Sequence, residues 1–268
     1  MIKLAVAGAG GRMGKAILTL AHRDRAFQIV GGLERSDSSA LGQDIGPLIG
    51  TEPLGAFINH DPYRILEEAD VLIDFTHFSA TEAHLKAALK TKTAYVLGTT
   101  GLDEKIKKSL KTASKSIPIV QSPNMSVGVN LLFKLAEITG KALDEDYDIE
   151  MTEAHHRMKK DSPSGTALKL LEILVEARKK NIKKDVVFGR EGETGARPRG
   201  QIGVFALRGG DVVGDHTVSF LADGERVELT HRATSRDAFA QGALKAAKFV
   251  FKKKNGLYSM FQVLGIAA

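Results

Sequence analysis

The chain has 268 residues, 43% of them hydrophobic and 26% charged, enough to bury a sizeable core in one large domain or two ordinary ones. It contains neither cysteine nor tryptophan, which excludes disulfides and thiolate metal sites and agrees with a reducing cytoplasm. The formal charge of +6 comes from lysines at helical surface positions such as Lys105, Lys107, Lys108 and Lys111, and the aromatics form no stacking platform; small anions, and not nucleic acid, are the expected partners.

Met1 leads straight into a short apolar run, residues 2–7, unlike an export signal, and no later run approaches the roughly eighteen residues a membrane span needs. The run stops at Gly8 and helical spacing follows through Met13, Ile17 and Leu20, so residues 2–21 read as strand, glycine turn and helix. The turn, G-A-G-G-R-M-G, carries glycines at 8, 10, 11 and 14, where the backbone must bend tightly and lie against a pyrophosphate. Arg12 also points to an anion, since a cation in a helix's first turn opposes the macrodipole by about 0.3–1 kcal/mol unless an anion rewards it. A second strand, residues 27–33, ends at Glu34-Arg35. An acid about 20 positions after the glycines suits the ribose hydroxyls of NAD, and a nearby arginine suits the 2′-phosphate of NADP. Side by side, the two leave the choice between NADH and NADPH open.

The alternation continues with strand 71–74, helix 81–89, strand 94–97, helix 104–113 and strand 117–121, which predicts a Rossmann-like parallel sheet. Ligands of such sheets bind at the C-terminal strand ends, here Asp74-Phe75-Thr76, Gly98-Thr99-Thr100 and Ser122-Pro123-Asn124-Met125. Residues 34–63, rich in Gly, Ser, Asp and Pro, read as a long mobile loop. Beyond Pro123 the pattern changes to helix 127–143, strand 148–154 and helix 165–180. Runs at 202–207, 216–221 and 226–230 then alternate like an antiparallel sheet, with an Asp223-Gly224 hairpin, before helix 236–253. The expected class is α/β. Residues 1–126 form a dinucleotide-binding domain, residues 127–236 an α+β domain with an open, mostly antiparallel or mixed sheet, and residues 237–268 fold back onto the first.

The chemistry concentrates in residues 153–167, E-A-H-H-R-M-K-K-D-S-P-S-G-T-A. His155 and Lys159 can face one pocket from an extended or turning segment, with His156 directed elsewhere or toward a substrate's other end. Histidine titrates near neutrality, and lysine does so when burial or neighbouring cations lower its pKa. Either can quench the negative charge that a hydride leaves on a conjugated acceptor. Ser162-Pro163-Ser164 is ordinary helix-start chemistry, and the helix N-terminus after it suits an anion. No metal site is read from the paired histidines, because a third ligand at suitable spacing is missing and cysteine is absent. The combination favours an anionic substrate, a carboxylate.

This stretch closely resembles the signature of the 4-hydroxy-tetrahydrodipicolinate reductase (dihydrodipicolinate reductase) family of bacterial diaminopimelate and lysine biosynthesis. Similar blocks run along nearly the whole chain: V-A-G-A-G-G-R-M-G at 6–14, I-D-F-T at 73–76, G-T-T-G at 98–101, S-P-N-M-S-V-G-V-N at 122–130 and R-G-G-D-V-V-G-D-H-T-V at 208–218. The resemblance implies NADH- or NADPH-dependent reduction of 4-hydroxy-tetrahydrodipicolinate to tetrahydrodipicolinate, with His155 as proton donor or acceptor and Lys159 as proton donor. It implies that His156, Gly165 and Thr166 bind the dicarboxylate. It implies that Gly8, Ala9, Gly10, Gly11, Arg12, Met13, Glu34, Arg35, Gly98, Thr99, Thr100, Ser122, Pro123, Asn124 and Met125 line the cofactor, and that the chain forms homotetramers through the sheet of its second domain. Met158 and Lys160 receive no role. Arg208-Gly209-Gly210 and His216 read equally as a structural loop at a subunit interface and stay outside the expected site. An aspartate or homoserine dehydrogenase would share the cofactor domain but lack His-His-x-x-Lys followed by Ser-Gly-Thr. A non-catalytic nucleotide sensor would have no need for proton donors beside an anion cradle.

Overall fold

Strand β1 (Ile2–Ala7) sends Leu4 and Val6 into one apolar core and Ala5 and Ala7 into another; a parallel strand covered on both faces is therefore coded by a continuous apolar run. The structure is a computed structural model that describes residues 1–266. The chain divides into two units, Met1–Val127 with the chain from Arg236 onward, and Gly128–Ser235. In the first, β1 is followed by α1 (Arg12–Arg23), β2 (Phe27–Leu33), α2 (Ile45–Leu48), β3 (Phe57–Asn59), α3 (Pro62–Leu66) and β4 (Val71–Asp74). Then come α4 (Phe78–Thr91), β5 (Ala94–Leu97), α5 (Glu104–Ala113) and β6 (Pro118–Gln121). Ile17, Leu18 and Ala21 of α1 join the core of Leu4 and Val6, while Leu66 of α3, Leu85 of α4 and Leu110 of α5 join that of Ala5 and Ala7.

Residues 34–63 are not the long loop that their composition suggests. The Asp44 carboxylate caps α2 by accepting from Gly46 N at 2.7 Å, and also accepts from Leu54 N at 2.9 Å and Gly55 N at 2.7 Å. One side chain thus closes the segment on itself, Ile45 and Ile58 enter the core, and β3 pairs in parallel with β2.

The second unit contains α6 (Val127–Ala142), β7 (Asp148–His155), α7 (Gly165–Ala177), α8 (Ile182–Asp185), β8 (Val186–Phe188), β9 (Ile202–Arg208), β10 (Gly214–Ala222) and β11 (Glu225–Ala233). Its strands form a five-stranded sheet in the order β11-β10-β7-β9-β8. β10 is antiparallel to β7 and β11, joined to the latter through Gly224 at φ +87°. β9, expected to be antiparallel, runs parallel to β7 and β8, so the sheet is mixed. Its alternating pattern cannot distinguish the two directions; the helical connection through α7 returns the chain in the same sense. Along β7, Ile149, Met151, Glu153 and His155 are buried while Thr152 is exposed. The two-residue period of a strand therefore carries a carboxylate and an imidazole onto its buried face.

The chain re-enters the first unit as α9 (Asp237–Phe251), β12 (Gly256–Tyr258) and α10 (Met260–Leu264). β12 pairs with β6 and completes an all-parallel sheet in the order β12-β6-β5-β4-β1-β2-β3. A Cβ on Gly242 would stand 1.7 Å from the Met125 carbonyl oxygen, so glycine is what lets α9 lie on the turn after β6. Ala267 and Ala268, the end of the predicted return, lie outside the described residues. Among the described residues no helix is long and apolar enough to cross a membrane.

Candidate active site

In the first unit, Leu33, Ala7, Asp74, Leu97 and Gln121 form one register row across β2, β1, β4, β5 and β6. The segments that begin at Glu34, Gly8, Phe75, Gly98 and Ser122 therefore leave the sheet at one level, its C-terminal edge. Gly8 adopts φ +70°, a conformation that favours glycine, and Gly11 N donates to Gly8 O at 3.0 Å. A Cβ on Gly14 would stand 2.1 Å from Gly8 O, so only glycine permits α1 to start this close to β1. The N-cap, Gly11, offers no side-chain cap, and no acid lies in the first turn. Unsatisfied N–H groups at a helix start, with Arg12 beside them, fit the pyrophosphate of a dinucleotide. Glu34 comes back to this turn and accepts from Gly10 N at 2.9 Å, while Arg35 stays exposed with Asp37 at 3.5 Å.

At the other strand ends two side chains are turned into the protein. Asp74 is fully buried. Its Oδ1 accepts from Thr76 N and Thr76 Oγ1, and its Oδ2 accepts from Tyr95 OH at 2.6 Å and contacts His84 Nδ1 at 2.8 Å. Burial pushes the Asp74 carboxyl up, but the His84, Tyr95 and Thr76 partners outweigh it and hold the group below the usual carboxylate range. Asp74 thereby fixes the Phe75-Thr76 turn, whose Thr76 carbonyl accepts from Thr99 Oγ1 at 3.0 Å. The second case is Met125, whose side chain lies wholly in the core, as does that of Ala9; any part they play for a cofactor is confined to the main chain. Gly98 and Thr99 are buried and Thr100 is exposed; Pro123 is exposed and Asn124 half-buried, with Ser122 Oγ donating to Asn124 O at 2.7 Å.

In the second unit, β7 ends at His155, and His156 to Lys160 turn away from it, with Lys159 N donating to His156 O at 3.0 Å. His155 is buried, His156 and Lys159 are half-buried, and the Lys159 ammonium contacts Asp161 at 2.9 Å. Beneath the turn lies Glu153, whose carboxylate is fully buried. Its Oε2 lies 2.6 Å from His155 Nδ1 and 2.9 Å from Arg208 Nη1; its Oε1 accepts from Arg208 Nη2 at 2.8 Å and from Ser164 N at 3.0 Å. Arg208 also donates to Asp161 O at 2.7 Å. Ser164 is the N-cap of α7, accepting from Ala167 N, and its hydroxyl shares a 3.1 Å hydrogen bond with His216 Nε2. Gly165, the first residue of α7, is exposed, and nothing lies within 4 Å of where its Cβ would stand. Burial depresses the His155 pKa, Glu153 opposes it, and the Lys159 and Arg208 charges lower it further; the net shift is downward. Burial also pushes His216 down to about 4, with the adjacent His155 as the next cause.

Glu153, Arg208 and His216 are residues of this site to which reading the sequence gave no catalytic or binding role. The signal for Glu153 was present: on a strand, positions 153 and 155 share a face. Arg208 and His216 come from β9 and β10, and only the pairing of those strands with β7 brings them to Glu153.

Two family models match, described as dihydrodipicolinate reductase, N-terminus, over residues 2–125 and dihydrodipicolinate reductase, C-terminus, over residues 128–264. The chain belongs to the dihydrodipicolinate reductase family. It is 48% identical over 265 residues to the 4-hydroxy-tetrahydrodipicolinate reductase of Polynucleobacter necessarius subsp. necessarius (strain STIR1), with 99% of each chain covered. It is 50% identical over 268 residues to that of Aquifex aeolicus (strain VF5), again with 99% of each covered. Among solved structures, a dipicolinate-bound dihydrodipicolinate reductase from Paenisporosarcina sp. TG-14 has the same fold, with a TM-score of 0.75 at 23% identity over 98% of each chain. Membership of the family makes the chain an NAD(P)H-dependent oxidoreductase of diaminopimelate and lysine biosynthesis.

Proposed function

We propose that the chain reduces 4-hydroxy-tetrahydrodipicolinate to tetrahydrodipicolinate, the 4-hydroxyl leaving as water to give the conjugated acceptor that takes the hydride and one proton, with residues 1–126 and 237–268 serving the cofactor and residues 127–236 the dicarboxylate. The observation that carries this reading is the His155 imidazole, buried on Glu153 at 2.6 Å and followed by the turn that bears Lys159. NADH or NADPH, when bound, supplies the hydride. Gly8 to Met13 hold its pyrophosphate, Glu34 and Arg35 its ribose end, and Gly98 to Thr100 with Ser122 to Met125 line the remainder. The electron pair that enters the acceptor carbon ends as negative charge on a neighbouring atom, and Lys159 gives the proton that neutralises it. His155 exchanges protons at the same site. His156, Gly165 and Thr166 bind the carboxylates at the start of α7, where backbone N–H groups favour anions. Dipicolinate, named with the Paenisporosarcina structure, is a dicarboxylate of this class.

The protein works in the cytoplasm as a homotetramer, assembled through the second unit's sheet. Supporting this, β7 and β9 expose Thr152 and Leu207, the latter by 59%. Lys159→Ala is expected to lower turnover about 10²-fold or more, the scale of a general acid, while cofactor affinity stays unchanged. Wild-type turnover in that variant would take the lysine out of the reaction.

A further inference from the structure

The carboxylate of Glu153 is buried and accepts from His155, Ser164 N and, twice, Arg208, so it reaches the reaction only through His155. We infer that Glu153, neutralised by Arg208, is a positioning residue that holds His155 in the tautomer with the proton on Nδ1, so that Nε2 is the atom that exchanges protons with the substrate. This rests on the assignment of His155 to the reaction.

The chemistry of the contact requires that tautomer. An ionised carboxylate accepts and cannot donate, so at 2.6 Å from Glu153 Oε2 the Nδ1 atom must carry hydrogen. Nε2 then holds the lone pair, and among the described residues it has no hydrogen-bond partner. The fold keeps that atom uncovered: a Cβ on Gly214 would stand 3.0 Å from His155 Nε2. Gly214 does not adopt positive φ, so glycine serves here to leave space and not to permit a turn. Second, the same carboxylate accepts from Ser164 N, the N-cap of the helix assigned to the substrate's carboxylates, and its partner Arg208 holds Asp161 O behind Lys159. Orientation of the imidazole, of the Lys159 turn and of the start of α7 therefore depends on one ion pair.

Arg208 also sets how strongly Glu153 acts on the ring. The charged and titratable groups facing His155 are Glu153 on its own strand, Arg208 on β9, Lys159 on the following turn and His216 on β10, which pairs with His231 on β11. A lone buried carboxylate would favour the imidazolium; the two hydrogen bonds from Arg208 offset it, and the ring remains available in its neutral form.

The test joins nitrogen-15 NMR of the full-length protein with steady-state kinetics. Wild-type His155 is expected to show a protonated Nδ1 and a bare Nε2 at neutral pH; the reverse tautomer would overturn the inference without any variant. Glu153→Gln removes a negative neighbour and should move the His155 titration to lower pH, while Arg208→Met removes a positive one and should move it higher. Simple loosening of the fold would not give opposite shifts, so shifts in the same direction would count against the proposal. In Glu153→Gln kcat should fall about 10²-fold or more, as when an imidazole loses its orienting carboxylate, with KM little changed. Gly214→Ala should lower kcat with the tautomer intact. Unchanged kcat in Glu153→Gln, with His155→Gln inactive, removes the positioning role alone; full activity in His155→Gln refutes the functional reading on which it stands.

Discussion

Arg35 keeps its guanidinium 81% exposed beside Asp37 at 3.5 Å, an ion pair of the kind worth about 0–1 kcal/mol. A 2′-phosphate would outcompete that neighbour, because a hydrogen bond to a charged group contributes about 1.5–3 kcal/mol. Glu34, by contrast, is held by Gly10 N at the glycine turn. Arg35→Ala is accordingly expected to weaken NADPH roughly 10- to 100-fold and NADH far less. Titration of both cofactors by fluorescence decides this, and equal losses would mean that Arg35 does not meet the phosphate. At this scale the sequence was legible wherever one residue type has one physical use. Gly14 is such a case, since any side chain there would collide with Gly8 O. It was illegible where a side chain works through another from a distant strand, as Arg208 does through Glu153.

Strands β7, β9 and β10 bring a carboxylate, an arginine and two histidines into one buried patch, and the patch has a pH signature. His216, 3% exposed, is held to about 4, against an ordinary value of 6.5, by burial first and then by His155. A histidine kept neutral in the folded chain binds fewer protons than in the unfolded chain, so its contribution is complete above 6.5 and is lost as pH falls toward 4. The whole shift corresponds to roughly 3 kcal/mol at most. Urea unfolding of the wild type between these limits should therefore show falling stability, and His216→Gln should flatten that slope; an unchanged slope would show that His216 is not held neutral. The element pattern also explains which parts of the fold were readable. Parallel strands covered on both faces announced themselves as apolar runs. β12, three residues long, is too short for any period to register. Residues 34–63 looked like a loop because their order comes from one aspartate accepting three backbone N–H groups, which composition does not reveal.

The whole chain leaves its parallel-sheet unit at Val127 and returns at Arg236, so the glycine turn and the His155–Lys159 segment belong to different units of one polypeptide. A hydride donor and a proton donor achieve a reduction only together, and both family matches, over 2–125 and 128–264, fall on this one chain. The most direct test is the oxidation of NADPH and of NADH by the purified full-length protein, followed spectrophotometrically with the freshly made condensation product of pyruvate and aspartate semialdehyde. Cofactor oxidation that depends on this product, and ceases when it is consumed, is the predicted result. A protein that binds either cofactor yet leaves it unoxidised in the presence of that product would contradict the account.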